Sequence, residues 1–332
     1  MKTSQGVNRF ISVKKSKPTC YTRRRHAKGF QYLCTKSEKI TDKKEIKRIK
    51  DLVIPPMWED VEICIDPKGK VQATGRDLKG RKQYIYHPTW EQKRQTEKFK
   101  SLKSFAKALP KFRKKCHKFL EGKGYERNKI LALMVLILDD TGMRVGNNSY
   151  TDQNGTYGLS NLRRKHLDAK KKELLFQYQG KSKKQREVMI DDPDLVKFIK
   201  RSAEQPGYEI FRYKDDDGHW SNVDSDELNE FIREHMGEEF SSKFFRTWVA
   251  CRLTVELYPE AVKITKESKR KSLAPTLVKL VAKDLGNTPA ICRDYYIHPQ
   301  LMTQVKDKTL PEIDIEKMTD EAIDKAVLKL IS

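Results

Sequence analysis

Gly122-Lys123-Gly124-Tyr125-Glu126-Arg127-Asn128-Lys129-Ile130-Leu131-Ala132-Leu133-Met134-Val135-Leu136-Ile137-Leu138-Asp139-Asp140 divides the chain into two unlike parts. The two glycines interrupt the regular structure that precedes them. The apolar run Ile130–Leu138 is far too short to span a bilayer and reads as the centre of a buried helix over Arg127–Asp140. The charge balance changes at the same place. Residues 1–124 carry 34 Lys/Arg against 12 Asp/Glu, whereas residues 125–332 carry 35 against 34. Almost all of the net charge of +23 therefore sits in the first third. That asymmetry is the electrostatic footprint of a protein that binds a polyanion, most often nucleic acid. The bland alternative is a solvated basic surface.

Upstream of the break, residues 1–50 form a basic region, poor in large apolar side chains until Phe30, whose first part reads as a loose arm. Pro55-Pro56 introduces a β-rich stretch. Val61, Ile63 and Ile65 alternate with Glu62 and Cys64, the period of a half-buried strand. Asp66-Pro67-Lys68-Gly69 is a turn, Lys70–Thr74 returns, Gly75–Gly80 turns again, and Gln83–His87 completes a small antiparallel sheet. Residues 89–121 read as a helix with many lysines on its outer face. The expected organisation is a basic N-terminal region over 1–50, a β-rich domain with a connecting helix over 51–122, and an α-helical domain over 125–332.

In the second part, Glu173–Gln179 and Arg186–Ile190 read as a β-hairpin around the tip Gly180–Gln185. Helices are expected near 193–203, 224–237, 240–257 and 268–285, with a last amphipathic helix from Thr319 to Ile331. The fold class is α+β: a small β-rich N-terminal domain and a mainly helical domain carrying a hairpin. The six cysteines form no Cys-x-x-Cys pair and the seven histidines show no metal spacing, so no metal and no cofactor are expected. His166 and His298 read as structural histidines. The polar, basic start does not read as a signal peptide, and free thiols suit a reducing, cytoplasmic setting. Gly75–Lys82 looks superficially like a phosphate-binding loop, but Arg81-Lys82-Gln83 lacks the Gly-Lys-Ser/Thr that would hold magnesium.

Four residues carry a chemical pattern. Arg144 follows the apolar helix in Thr141-Gly142-Met143-Arg144-Val145-Gly146-Asn147, where glycines permit turns that aim a guanidinium inward. Lys181 sits at the hairpin tip. Arg246 lies among aromatics in Phe244-Phe245-Arg246-Thr247-Trp248, where a buried charge needs a partner, ordinarily a carboxylate. Tyr296 lies in Gly286-Asn287-Thr288-Pro289-Ala290-Ile291-Cys292-Arg293-Asp294-Tyr295-Tyr296-Ile297-His298-Pro299. Taken singly, each has an ordinary structural explanation. Together they make a phosphoryl-transfer set. Two arginines offer paired hydrogen bonds to phosphate oxygens and stabilise the charge of a pentacoordinate transition state. A lysine can protonate a leaving alkoxide, and a tyrosine can attack phosphorus.

With these residues assembled, the chain resembles the type IB DNA topoisomerases of the compact poxvirus-like branch, found also in bacteria and giant viruses. The resemblance covers roughly residues 53–300. It runs through Pro55-Pro56-Met57-Trp58, Gln72–Asp77, Arg81–Pro88, Thr141–Asn147, Gly180-Lys181, Phe245–Trp248 and the tyrosine segment, all in order. It implies that Tyr296 is the nucleophile and Tyr295 its structural neighbour. It further implies that Arg144 and Arg246 clamp the phosphate and that Lys181 is the general acid for the 5′-oxygen. Lys243 and Tyr150 match positions that support or touch the phosphate backbone. Gln83, Tyr84 and Tyr86 match a patch that contacts DNA in the major groove. Many relatives carry a histidine nine residues before the nucleophile; Asn287 stands there in this chain, keeping a neutral N–H donor but no charge.

The activity so implied is relaxation of supercoiled duplex DNA by a monomeric isomerase that closes on DNA as a clamp. It forms a 3′-phosphotyrosyl intermediate and needs neither ATP nor metal. A tyrosine recombinase or integrase is the nearest rival, but such enzymes typically carry His-x-x-Arg where this chain has Lys243-x-x-Arg246. A non-catalytic basic DNA-binding protein would leave the ordered blocks unexplained.

Overall fold

The computed structural model describes residues 20–27, 29–147, 151, 154–169, 172–268, 270–314 and 318–332. The chain divides into two compact units, Met1–Glu97 and Lys98–Ser332. The division falls inside the connecting helix rather than at Gly122–Gly124.

The first unit is a five-stranded antiparallel sheet in the order β2-β1-β3-β4-β5. Its strands are β1 (Cys20–His26), β2 (Gly29–Leu33), β3 (Glu59–Cys64), β4 (Val71–Arg76) and β5 (Lys82–Tyr86). The alternation at Val61 and Ile63 gives the expected strand, and both side chains are buried. The basic region 1–50 is not only an arm: β1, β2 and helix α1 (Lys43–Asp51) belong to the same unit. Its small core joins Ile49, Val61, Ile63 and Ala73 with Tyr21, Tyr32 and Trp58. The arginines of β1 obscured the strand, yet Arg23 is structural, donating to the carbonyls of Ile54, Pro55 and Trp58. The Gly75–Lys82 segment is a tight β4–β5 turn. In it the Asp77 carboxylate accepts from the Lys79 and Arg81 amides and pairs with the Arg81 guanidinium.

Helix α2 (Pro88–Leu120) runs across the division. Phe99, Leu102, Phe105, Leu109, Phe112 and Cys116 recur at helical spacing and enter the core of the second unit. This burial explains why the compact unit starts at Lys98 although the charge changes near residue 124. Residues 98–120 contain nine Lys/Arg and no Asp/Glu, so part of the basic excess belongs to the second unit.

Helix α3 (Arg127–Thr141) is the centre of that core, with every residue from Ile130 to Asp139 buried. Around it, among the described residues, stand α4 (Pro193–Ala203), α5 (Ser225–Met236), α6 (Ser242–Glu256), α7 (Tyr258–Glu267) and α8 (Leu273–Leu285). Then come α9 (Pro289–Tyr295), α10 (Pro299–Asp307) and α11 (Asp320–Leu330). The expected hairpin is β7 (Leu174–Gln179) with β8 (Gln185–Ile190), and β6 (Leu167–Ala169) adds an unexpected third strand. Two short strands, β9 (Arg212–Lys214) and β10 (Trp220–Asn222), form a separate ribbon. Helices α7 and α10 were also not expected; each begins with proline in its first turn, which starts a helix as readily as it ends one. Among the described residues no helix is long and apolar enough to cross a membrane.

Candidate active site

Four segments of the second unit converge. Helix α3 ends at Gly142, whose φ of 60° takes the left-handed conformation that terminates the helix and turns the chain toward Arg144. The backbone beyond is anchored by Leu159 and Ser160, whose amides donate to the carbonyls of Arg144 and Val145. Arg246 projects from α6 and is 5% exposed, between the buried Phe245, Thr247 and Trp248. Asn287 follows Gly286, the left-handed cap of α8. Tyr296 caps the short helix α9, which Thr288 and Pro289 begin.

The hydrogen bonds define the centre. Arg144 Nη2 and Arg246 Nη2 both donate to the Asn287 side-chain oxygen, the latter at 3.0 Å. An amide nitrogen cannot accept, so the oxygen must face the two guanidinium groups and the Asn287 NH2 must face away. Arg246 also donates to the carbonyls of Gly142 and Leu285, at the C-terminal ends of α3 and α8. Its guanidinium carbon lies 5.3 Å from the Tyr296 ring centroid.

The partner of Arg246 is therefore not the carboxylate that a buried arginine ordinarily finds. Carbonyl dipoles and one amide oxygen hold it in position without cancelling its charge. Burial, with the neighbouring Arg144 adding to it, lowers the Arg246 pKa to about 10. Burial also lowers that of Arg144; Tyr296 opposes the shift and Arg186 adds to it. Two buried donors in this cluster have no partner among the described residues: Arg246 Nε and Asn287 Nδ2. Concentrated positive charge with spare N–H groups is chemically suited to a bound oxyanion.

Lys181 lies outside this hydrogen-bonded cluster. It is exposed at the hairpin tip, where Gly180 N donates to Lys184 O at 2.8 Å and Ser182 and Lys183 have positive φ. Lys243 is exposed in the first turn of α6. Tyr150 lies outside the described residues. Gln83, Tyr84 and Tyr86 lie together on β5 of the first unit. Gln83 donates to Asp77 at 3.0 Å, and Tyr84 stacks on Tyr86 with centroids 6.0 Å apart.

Three neighbours of these groups escaped the sequence reading. Trp90 continues the aromatic stack, 4.5 Å from Tyr86, with the Lys70 ammonium 4.6 Å from its ring. Lys98 donates to the Tyr295 carbonyl and lies 5.6 Å from the Tyr296 ring. Arg186 is buried near Arg144 and Arg246; its alternation with Val188 and Ile190 on β8 was a legible sign that it faces the core.

His166 and His298 are structural, as expected. Each ring nitrogen accepts from a nearby backbone amide, Arg163 N and Gln300 N respectively. Burial lowers the pKa of each to about 4, with nearby cations (Lys165 and Arg163, and Lys103 and Lys98, respectively) adding to the effect. Asp215, Asp217 and His219 do gather at the β9–β10 turn. There Asp215 serves the turn by accepting from the His219 amide at 2.8 Å.

Residues 87–322, more than two thirds of the chain, match the family model for the catalytic core of eukaryotic DNA topoisomerase I. Residues 29–77 match that for the N-terminal domain of bacterial DNA topoisomerase IB. The chain is 32% identical to DNA topoisomerase 1B of Acanthamoeba polyphaga mimivirus over 304 residues, 90% of each protein. It is 22% identical to DNA topoisomerase 1B of Vaccinia virus (strain Copenhagen), over 74% of this chain and 76% of that protein. Among solved structures it is similar to the XerH site-specific recombinase bound to difH substrate, with a TM-score of 0.35 and 16% identity over 66% of this chain and 55% of that one. From the family models and the extent of the mimivirus match, the chain belongs to the type IB DNA topoisomerases, isomerases that relax supercoiled DNA through a transient phosphotyrosyl link to one strand.

Proposed function

We propose that Tyr296 is the nucleophile of this relaxation reaction and that Arg144, Arg246 and Asn287 hold the scissile phosphate. The observation that carries the reading is the arginine pair beside Tyr296, without a carboxylate among its hydrogen-bond partners in the described residues and with unused donors on Arg246 and Asn287. The Tyr296 oxygen attacks phosphorus, the bond to the 5′-oxygen breaks, and the DNA 3′-phosphate becomes esterified to the tyrosine. Negative charge grows on the non-bridging oxygens, where the guanidinium groups stabilise it most. Lys181 donates a proton to the departing 5′-oxygen. The free end swivels, the 5′-hydroxyl attacks in reverse, and the strand is resealed. One phosphoester replaces another, so no ATP is consumed.

The substrate is duplex DNA and the enzyme acts as a cytoplasmic monomer. Lys243 and Tyr150 contact the phosphate backbone, while Gln83, Tyr84 and Tyr86 contact DNA from the first unit. Neutral Asn287 donates one hydrogen bond without bringing a further charge beside the arginines.

Three substitutions test the roles. Tyr296→Phe leaves noncovalent DNA binding largely intact but yields no covalent protein–DNA adduct on denaturing gels. Loss of the adduct in Tyr295→Phe instead would move the nucleophile by one residue. Lys181→Ala cleaves ordinary DNA slowly and regains its rate on a substrate with a 5′-bridging sulfur, because a thiolate leaves without a proton. Absence of that rescue would refute the general-acid role.

A further inference from the structure

Arg186 occupies a buried position in the hairpin that carries Lys181. On β8 the side chains of Arg186, Val188 and Ile190 point to the core while Gln185, Glu187 and Met189 point outward. A lone cation on the buried face of a strand is costly unless its donors are used. Arg186 Nη2 donates to Asp284 O at 2.7 Å and Nη1 to Lys283 O at 3.3 Å. Tyr178 is its cross-strand partner on β7. The two carbonyls belong to the last turn of α8, where the helix dipole is negative and where the chain turns at Gly286 into Asn287.

The fit on both sides is tight. A β-carbon on Gly286 would overlap the Arg186 guanidinium, and one on Gly180 would lie 2.9 Å from the Arg186 side-chain Cγ. The arginine is thus packed between the residue before Asn287 and the residue before Lys181. Its charge also acts on Arg144 and Arg246, lowering the pKa of each.

We infer that Arg186 is a positioning residue that fixes the Lys181 hairpin against the Asn287 end of the phosphate clamp. This inference rests on the assignment of Lys181 as general acid. The arginine touches neither the phosphate nor the leaving group. It sets the register between the element that supplies the proton and the turn that supplies the clamp. Loss of such a strut displaces the acid, and misplacement by about 1 Å costs on the order of 100-fold in rate.

The test compares single-turnover cleavage of two duplexes that differ only in oxygen or sulfur at the scissile 5′-bridging position. With Arg186→Gln, cleavage of the oxygen duplex is expected to slow by roughly 10- to 100-fold. Cleavage of the sulfur duplex is expected to stay within a few-fold of wild type. That rescue also shows that the variant folds and retains its clamp and nucleophile. Equal slowing on both duplexes, or no slowing on either, overturns the inference. Should Arg186→Gln not fold, Arg186→Lys, which keeps the charge but not the paired bonds to two carbonyls, decides by the same ratio. Lys181→Ala run alongside separates the two possible failures. If it is rescued by sulfur and the Arg186 variants are not, only the strut is wrong. If it is not rescued, the general-acid assignment fails first.

Discussion

Two arginines of the second unit, the half-buried Arg113 and the buried Arg246, solve the same electrostatic problem in opposite ways. Arg113, on α2, donates to the carboxylates of Asp139 and Asp324. Burial alone would lower its pKa, but those carboxylates raise it above the ordinary arginine value. Arg246, on α6, has carbonyls and an amide oxygen where Arg113 has carboxylates, and its pKa falls to about 10. The first cluster is closed: its charges are matched and its donors are engaged. The second is open: it has a charge in excess and, among the described residues, two donors without partners. Charge compensation, more than residue type, separates the two clusters.

The largest effect is expected on the closed side. Asp324 lies on α11 and also accepts from the Trp248 indole at 2.7 Å, so it fastens the C-terminal helix to α2 and α6. Asp324→Ala leaves the Arg113 and Trp248 donors short of a partner inside the core. Unfolding by urea is expected to show a loss of about 3–5 kcal/mol. Cleavage per folded molecule, measured well below the transition, is expected to remain within a few-fold of wild type. A large rate loss in the folded variant would break the division between the clusters.

On the open side the pattern reverses. Arg246→Gln is expected to lower the rate of covalent adduct formation by about 100- to 1000-fold, the scale for removal of one preorganised donor to a transition-state oxyanion. Stability is expected to remain within about 1 kcal/mol of wild type, because glutamine still donates to the carbonyls and a buried, uncompensated charge is removed. A collapse in stability comparable to that of Asp324→Ala would place Arg246 with the structural arginines.

The sequence made some of this legible. Alternation at Val61 and Ile63 gave β3, and the apolar run gave α3, because burial imposes a period that the residues display directly. Strand β1 was hidden because its arginines look like a solvated tail until the carbonyls that Arg23 satisfies are known. The division within α2 was hidden because a charge count does not show which face of a helix is buried. Arg144, Arg246, Asn287 and Tyr296 were recognisable as motif residues, and they do meet. What could not be read was the identity of the partners. The carbonyls of Gly142 and Leu285 lie 104 and 39 residues from Arg246, and no local pattern specifies them. Arg186 was legible in part: its place in the β8 alternation marked it as buried, but not what it touches.

The smallest effect gives the sharpest comparison, since it converts the open cluster into a closed one. Asn287→Asp places a carboxylate where the amide oxygen now accepts from both arginines. Ion pairs replace charge–dipole bonds, and stability is expected to rise by about 1–2 kcal/mol, seen as an increase in Tm of roughly 2–8 °C. The same carboxylate occupies the positive field that a phosphate would use and removes the spare amide donor. Sulfate or orthovanadate is expected to raise the Tm of the wild-type protein through linkage and to leave that of Asn287→Asp unchanged. Cleavage is expected to fall as stability rises. That opposition is the decisive reading: if Asn287→Asp gained stability and kept its anion response and its rate, the phosphate would bind elsewhere, and the excess charge around Arg246 would have no catalytic meaning.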